Sequence, residues 1–256
     1  MSKVPHPKST SRENVPKKTD PLLKAAFEEC FPDLLRFFYP DADVFFDLER
    51  GFEFMDKELR EIHPDRIKRG GTRVADLLVK VFLRDGTPQC LLIHLEIQGK
   101  NSKIFPFRMF EYYYRLIDRF KVPVVAMAIF TGGKNQQLSN EYRFSLLGTE
   151  VVYRYKTYQI FEHSEQELLA MNNPFALVVM AAQKAFLENK VPEEVLDKER
   201  TTIVRAMLAC KEYDPVRIVG FMNFLKIFIY VKDPEINRKF DTEVYELMEE
   251  KRIWEE

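Results

Sequence analysis

Long hydrophobic runs are missing from this sequence. The longest apolar stretch toward the C-terminal end, residues 221–231, is interrupted by Asn223 and Lys226 and is too short and too polar to span a bilayer. The first residues are polar and proline-rich without an apolar core, so they do not read as a secretory signal. The expectation is a chain with no membrane partner, placed by default in the cytoplasm. Cysteine is scarce. Cys30, Cys90 and Cys210 are widely separated, and no pair has metal-ligand spacing. That pattern suits small thiols in a reducing compartment. No Gly-rich phosphate loop, zinc spacing or Ser/His/Asp constellation occurs. Net charge is also nearly absent, at −1. A neutral chain does not advertise nucleic-acid binding by bulk charge, so any such function must rest on a local site.

What is present is a large apolar fraction, 46% of 256 residues, enough for one large domain or one domain with a helical extension. The near-zero net charge hides an asymmetry. Residues 1–19 carry Lys3, Lys8, Arg12, Lys17 and Lys18 against Glu13, and they lack periodicity, so they read as a disordered basic arm. Residues 241–256 are acidic. Asp20, followed by Pro21, predicts a helix start, with a break near Pro32. Period-two segments follow at 56–62, 72–83 and 90–98, then a helix at 106–120, a covered strand at 122–130 and a further strand at 150–161. At Ser164 a capping box with Glu167 opens a region of helical spacing, punctuated by Pro174, Pro192, Pro215 and Pro234. The predicted units are 1–19, 20–163 and an all-helical 164–256, four or five helices long. The expected fold class is α/β, with order αβββαβ and one further strand around a mixed sheet.

The segment 91–100, LLIHLEIQGK, places Glu96 inside an apolar strand. An ionised carboxylate there is costly unless something pairs with it. A hairpin of 72–83 with 89–98 around a three-residue loop at 85–87 puts Asp76 directly opposite Glu96. It also pairs Leu78 with His94 and Lys80 with Leu92. The other face then carries Ala75, Leu77, Val79 and Val81 with Leu91, Ile93, Leu95 and Ile97, all apolar. A two-residue Asp-Gly turn would mix polar and apolar residues on both faces. Two facing carboxylates repel, and a divalent cation would relieve that. Oxygen ligands suit Mg²⁺ or Mn²⁺. The bland alternative is a solvated pair bridged to Lys80 or Arg73.

Asp76 followed by Glu96-Ile97-Gln98, on paired strands ahead of a helix and a covered strand, resembles the PD-(D/E)XK nuclease superfamily. The stretches TRVADLLVKVFLRDG, LLIHLEIQG and FRMFEYYYRL resemble the YhgA-like recombination-promoting nuclease and transposase family of bacteria. The resemblance covers about residues 20–130 and extends more loosely into the helical tail. It implies a restriction-endonuclease-like core over 20–163 and a metal-dependent DNA endonuclease linked to recombination or mobile elements. It makes Asp76 and Glu96 metal ligands, with the Ile97 carbonyl as a third. Gln98 takes the place usually held by Lys. The proline of the motif is absent, since Ala75 precedes Asp76.

An amide carries no charge and cannot act as a general base near neutral pH. Gln98 can only orient water or a phosphate oxygen. A further acid from the first helix is matched by Glu28, with Glu29 behind it and Glu58 as a rival. Lys80, Arg108 and Arg115 are candidate phosphate contacts, with a solvated face as the plainer reading of each. His94 reads as a core histidine or a ligand. On the 106–120 helix, Phe107, Phe110, Tyr114 and Ile117 are expected to face the sheet. DNA is the expected partner. A homodimer would supply two active sites for double-strand cleavage. The alternative is a nuclease fold with weak or no catalysis that serves to bind DNA or protein.

Overall fold

The computed structural model describes residues 19–55, 57, 58, 61, 77–96, 104–135, 139–210 and 215–250. Asp76, Ile97, Gln98 and Tyr213 lie outside the described residues, as do residues 1–18. Three helices come first: α1 (Thr19–Glu29), α2 (Phe31–Phe38) and α3 (Ala42–Phe45). The strands β1 (Glu53–Phe54), β2 (Leu77–Phe82) and β3 (Pro88–Glu96) follow, then α4 (Phe105–Phe120) and β4 (Val124–Phe130). A hairpin of β5 (Glu141–Leu146) and β6 (Thr149–Arg154) precedes β7 (Lys156–Gln159). Five helices close the described chain: α5 (Glu165–Ala170), α6 (Pro174–Ala185), α7 (Glu193–Ala209), α8 (Pro215–Phe228) and α9 (Pro234–Glu250).

The main sheet is mixed, in the order β1-β2-β3-β4-β7. β1, β2 and β3 are antiparallel, whereas β3–β4 and β4–β7 are parallel. The β3-α4-β4 segment is therefore a crossover unit, which needs a helix of this length to return the chain to the same end. Both faces of the sheet are covered, as parallel strands require. Leu77, Val79 and Val81 of β2, with Met127 and Ile129 of β4, join one continuous core with α1, α2 and the C-terminal helices. Leu78 packs with Tyr112 and Leu116 of α4, and Ala126, Ala128 and Phe130 pack with Phe105 and Met109. The C-terminal helices thus complete the core of the sheet. Among them α6 is buried from Pro174 through Ala182, which explains why it is apolar all round.

Helix starts follow the sequence punctuation. Ser164 Oγ accepts from Glu167 N, and Ser164 N donates to the Glu167 carboxylate at 2.7 Å. Asn173 Oδ1 accepts from Phe175 N at 2.8 Å, ahead of Pro174 in the first turn of α6. At the N-terminal end the helix begins at Thr19, so Asp20 lies inside α1 rather than capping it. The expected break near Pro32 falls at Cys30, and Pro32 occupies the first turn of α2, where its missing N–H is harmless.

Four expectations are corrected. The strand expected at 56–62 lies earlier. Glu53 pairs with Lys80 and Phe54 with Val79, while Lys57, Glu58 and Glu61 are helical. Residues 56–62 are mostly charged, so their alternation carried little apolar signal, and pairing with β2 fell to Glu53 and Phe54 just before them.

The hairpin register is shifted by two residues. Leu78 pairs with Leu92 instead of His94, and Lys80 pairs with Cys90 instead of Leu92. The loop is 84–86, not 85–87. Leu83 N donates to Thr87 O at 2.9 Å, Gly86 N donates to Leu83 O at 2.8 Å, and Gly86 has φ +85°. A three-residue hairpin loop puts its left-handed residue last, so Gly86 closes the loop instead of centring it. Asp85 Oδ1 accepts from Thr87 N at 2.8 Å and holds the turn. Because the shift is an even number, each residue of β2 keeps its face.

The single strand expected at 150–161 is two strands in two sheets. They separate at Tyr155, whose N–H donates to Asn140 O at 3.0 Å, and β5, the partner of β6, was not anticipated. The sheet-facing stripe of α4 is Phe105, Met109, Tyr112 and Leu116. Phe107 and Phe110 instead meet the β5–β6 hairpin, at ring-centroid distances of 5.3 and 5.1 Å from Tyr142. The hairpin supplies a second apolar surface, and that rotates the stripe.

Candidate active site

β3 ends at Glu96, whose backbone is in register with Phe130 at the end of β4. Phe130 is in turn in register with Gln159 of β7. The carboxyl ends of three parallel strands therefore meet here, which is where open α/β sheets build their sites. Gln159 is buried, and its amide donates to Gly133 O at 2.9 Å, pinning the chain leaving β4. Thr131 follows Phe130 with a buried hydroxyl that has no hydrogen-bond partner among the described residues.

The first turn of α4 closes over this end. Phe105 lies 5.4 Å from Phe130 and 6.0 Å from Tyr155, ring to ring. The guanidinium of Arg108, half-buried, sits 5.2 Å from the Phe105 ring centroid. The hydroxyl of Tyr153 is buried without a hydrogen-bond partner among the described residues, and that of Tyr155 is buried with Ser139 beside it. Burial raises both their pKa values, Tyr155 to about 12. The nearby Ser139 and the positive charge of Arg108 oppose the rise at Tyr155. Thr131, Gln159, Tyr153 and Tyr155 are residues that sequence reasoning missed. No period or motif marks them; the pairing of β4 with β3 and β7 brings Thr131 and Gln159 beside the end of β3, while Tyr153 belongs to the separate β5–β6 hairpin and Tyr155 follows it.

The other anticipated residues are dispersed. Lys80 lies mid-strand in β2, 3.8 Å from the Glu53 carboxylate. Arg115 bonds Glu111 one turn away at 2.8 Å, and Arg119 reaches Glu61 at 2.5 Å. Glu28 is on α1, 3.7 Å from Lys24, and α1 packs on the odd-numbered face of β2. Glu29 is 3.9 Å from Arg217, and Glu58 is half-buried in a helical segment. Among the described residues no three His, Cys, Asp or Glu side chains converge to hold a metal ion. Asp76, Ile97 and Gln98 stand outside those residues, and of Glu96 only the backbone position is described.

A second concavity, of about 450 Å³, is lined by Glu29, Asp33, Arg36, Asp43, Arg84 and Arg217 among others. Its guanidiniums are committed to internal partners. Arg36 grips Asp43 through two bonds of 2.9 and 3.0 Å, and Arg217 holds the buried Asp33 at 3.2 Å. Arg84 Nε donates to Asp43 O at 2.7 Å. The Arg36 hydrogen bond holds the Asp43 carboxyl below its usual range. This cleft ties α1, α2, α3 and α8 together.

No family model matches the chain, and no curated protein or solved structure matches it.

Proposed function

We propose that the chain is a metal-dependent DNA endonuclease with a restriction-endonuclease-like core. One observation carries the reading: Glu96 ends the strand shared by an antiparallel hairpin and a parallel crossover, beside the carboxyl ends of β4 and β7. That is the strand order expected of the PD-(D/E)XK core; the two-residue shift in the hairpin keeps the facing of β2 but withdraws the register that set Asp76 directly opposite Glu96. In this reading Asp76 and Glu96, with the Ile97 carbonyl, hold Mg²⁺ or Mn²⁺, hard cations that such oxygens suit. The ion supplies Lewis acidity toward water and the scissile phosphate. Gln98 orients the water by hydrogen bonding and takes no proton. Arg108 meets a phosphate oxygen from the first turn of α4, and Lys80 and Arg115 serve the backbone farther out. Glu28, on α1 over the odd-numbered face of β2, is given no part in this site.

The second reading, a nuclease fold that binds DNA or protein without cutting, is favoured by Gln98 in the position usually held by Lys. Supercoiled-plasmid nicking separates the two. Wild type is expected to nick with Mg²⁺ or Mn²⁺ and not with EDTA. Asp76→Ala and Glu96→Ala are expected to lose at least about 10³-fold in rate while their circular dichroism and melting stay those of wild type. Equal activity in all three proteins, or a metal-independent gel shift of DNA with no nicking, overturns the endonuclease reading.

A further inference from the structure

Two lysines and two phenylalanines form a row beside the carboxyl ends of β4 and β7. Lys134 Nζ lies 5.9 Å from the Phe161 ring centroid, the Phe161 and Phe186 rings meet edge to face at 5.3 Å, and Lys190 Nζ lies 5.6 Å from the Phe186 centroid. Both rings are half-buried and both lysines are exposed. Three segments supply the row: the chain leaving β4, the chain leaving β7 and the turn after α6. Two glutamines fix them. Gln159 donates to Gly133 O at 2.9 Å, one residue before Lys134. Gln183 donates to Ile160 O at 2.5 Å and to His163 O at 2.9 Å, on either side of Phe161, and so holds the end of α6 against it.

The charge of this row is not balanced from within. Neither Lys134 nor Lys190 has an ion pair among the described residues, unlike Lys184 close by, which Glu165 and Glu199 hold at 2.5 and 2.6 Å. The carboxylates nearest in sequence are engaged elsewhere. Glu188 accepts from Tyr230 N at 2.7 Å, and the charge of Glu162 acts on Lys156 and Tyr158. An exposed ammonium over a ring is held weakly. A base stacked on that ring gains more and frees the ammonium for a phosphate. Aromatic faces flanked by cations are what a single strand calls for, because its bases are open and its backbone is anionic. A duplex hides those base faces. The row also lies where such a strand would be used. Glu96, Phe130 and Gln159 are in register across β3, β4 and β7, and Phe161 is two residues beyond Gln159.

We propose that Lys134, Phe161, Phe186 and Lys190 form a platform for single-stranded nucleic acid, on which the rings stack unpaired bases and the lysines meet the phosphates, leading the strand toward the end of β3. What the strand is led to rests on the nuclease reading above, whereas binding itself is measured with metal withheld.

Fluorescence anisotropy of the full chain in EDTA tests it, with a labelled oligothymidylate of about 20 nucleotides beside a hairpin duplex of the same length. Wild type should bind the single strand at least about tenfold more tightly than the duplex. Phe161→Leu and Phe186→Leu keep an apolar contact with the core and lose the stacking face. Each should weaken single-strand binding at least about fivefold, with duplex binding and melting as in wild type. Lys134→Gln and Lys190→Gln should each flatten the slope of log K against log salt by about 0.7. If a leucine variant melts well below wild type, the glutamine variants decide, and their flatter slopes with unchanged melting support the platform. Equal affinity of wild type for strand and duplex overturns it. So do the absence of binding, equal losses on both ligands, and variants that bind as wild type does. Wild type that binds the strand as expected and never nicks plasmid sinks the nuclease reading and keeps the platform; nicking without preference for the strand does the reverse.

Discussion

The two faces of the central sheet are covered differently. On one face lie α1, α2 and the C-terminal helices, packed through Phe27, Phe31, Leu34, Phe175, Leu225 and Phe240, all essentially buried. Arg200 is fully buried; its terminal nitrogens bond Asn237 at 2.9 Å and Asp197 at 2.7 Å and its guanidinium lies 4.4 Å from the Phe240 ring centroid, while its Nε has no hydrogen-bond partner among the described residues. On the other face α4 and the β5–β6 hairpin build a thinner layer rich in tyrosine. There Tyr153 buries a hydroxyl without a hydrogen-bond partner among the described residues, and Phe107 and Tyr114 keep over two fifths of their surface exposed. The thick face supplies stability through close packing. The thin face sets Tyr155 against Phe105, whose ring also meets Phe130 at the end of β4.

The largest effect should come from emptying the thick face. Phe175 lies 4.8 Å from Phe27 and 5.2 Å from Phe37, ring to ring. Phe175→Ala should cost about 3–5 kcal/mol in urea unfolding, and a loss under about 1 kcal/mol would show that the two faces are not so unequal.

A middle effect is expected from alkali. Tyr153 and Tyr155 have raised pKa values in the folded chain, against about 10 when unfolded. Their burial favours the protonated form, so the stability it confers is present below about pH 10 and is lost as pH rises. For Tyr155, whose folded value is about 12, the loss spans that interval and amounts to about 2–3 kcal/mol. Tyrosinate absorbance at 295 nm should rise together with loss of near-UV circular dichroism from this layer. Ionisation near pH 10 with the fold intact would contradict the burial.

The smallest effect should be Tyr155→Phe at neutral pH. The hydroxyl that it removes has Ser139 as its neighbouring polar group, so melting should change by no more than about 1 kcal/mol, and the alkaline loss should shrink. A cost of several kcal/mol would mean that the hydroxyl is held after all.

The helical half of the chain was the most legible. Ser164, Pro174 and Pro234 mark helix starts by local hydrogen bonding and by the missing amide of proline, and neither depends on distant contacts. The covered strand at 124–130 was legible for a similar reason, since an unbroken apolar run bounded by Pro and Gly suits a strand buried on both faces. The hairpin was legible in its facing and not in its register. Alternation sets which side chains share a face, but the position of Gly86 in the loop sets the pairing, and two loops of equal length differ by two residues. The β5–β6 hairpin escaped notice because Leu147-Gly148 lacks the Asn or Asp that usually announces such a turn.

For the candidate site, Glu96 was legible as a carboxylate out of place in an apolar strand. Its surroundings were not. Thr131 and Gln159 come from two segments that lie beside the end of β3 only because β4 pairs with β3 and β7 with β4.

By itself the sequence determined the α/β class, the helix starts, the alternation of the hairpin strands and the odd carboxylate, because each depends on residues a few positions apart. Tertiary structure alone decided the pairing register, which face α4 buries, the partners of Arg200 and the gathering of polar groups at the ends of the parallel strands. Those outcomes depend on which surfaces compete for burial across the fold, and no local window contains that competition.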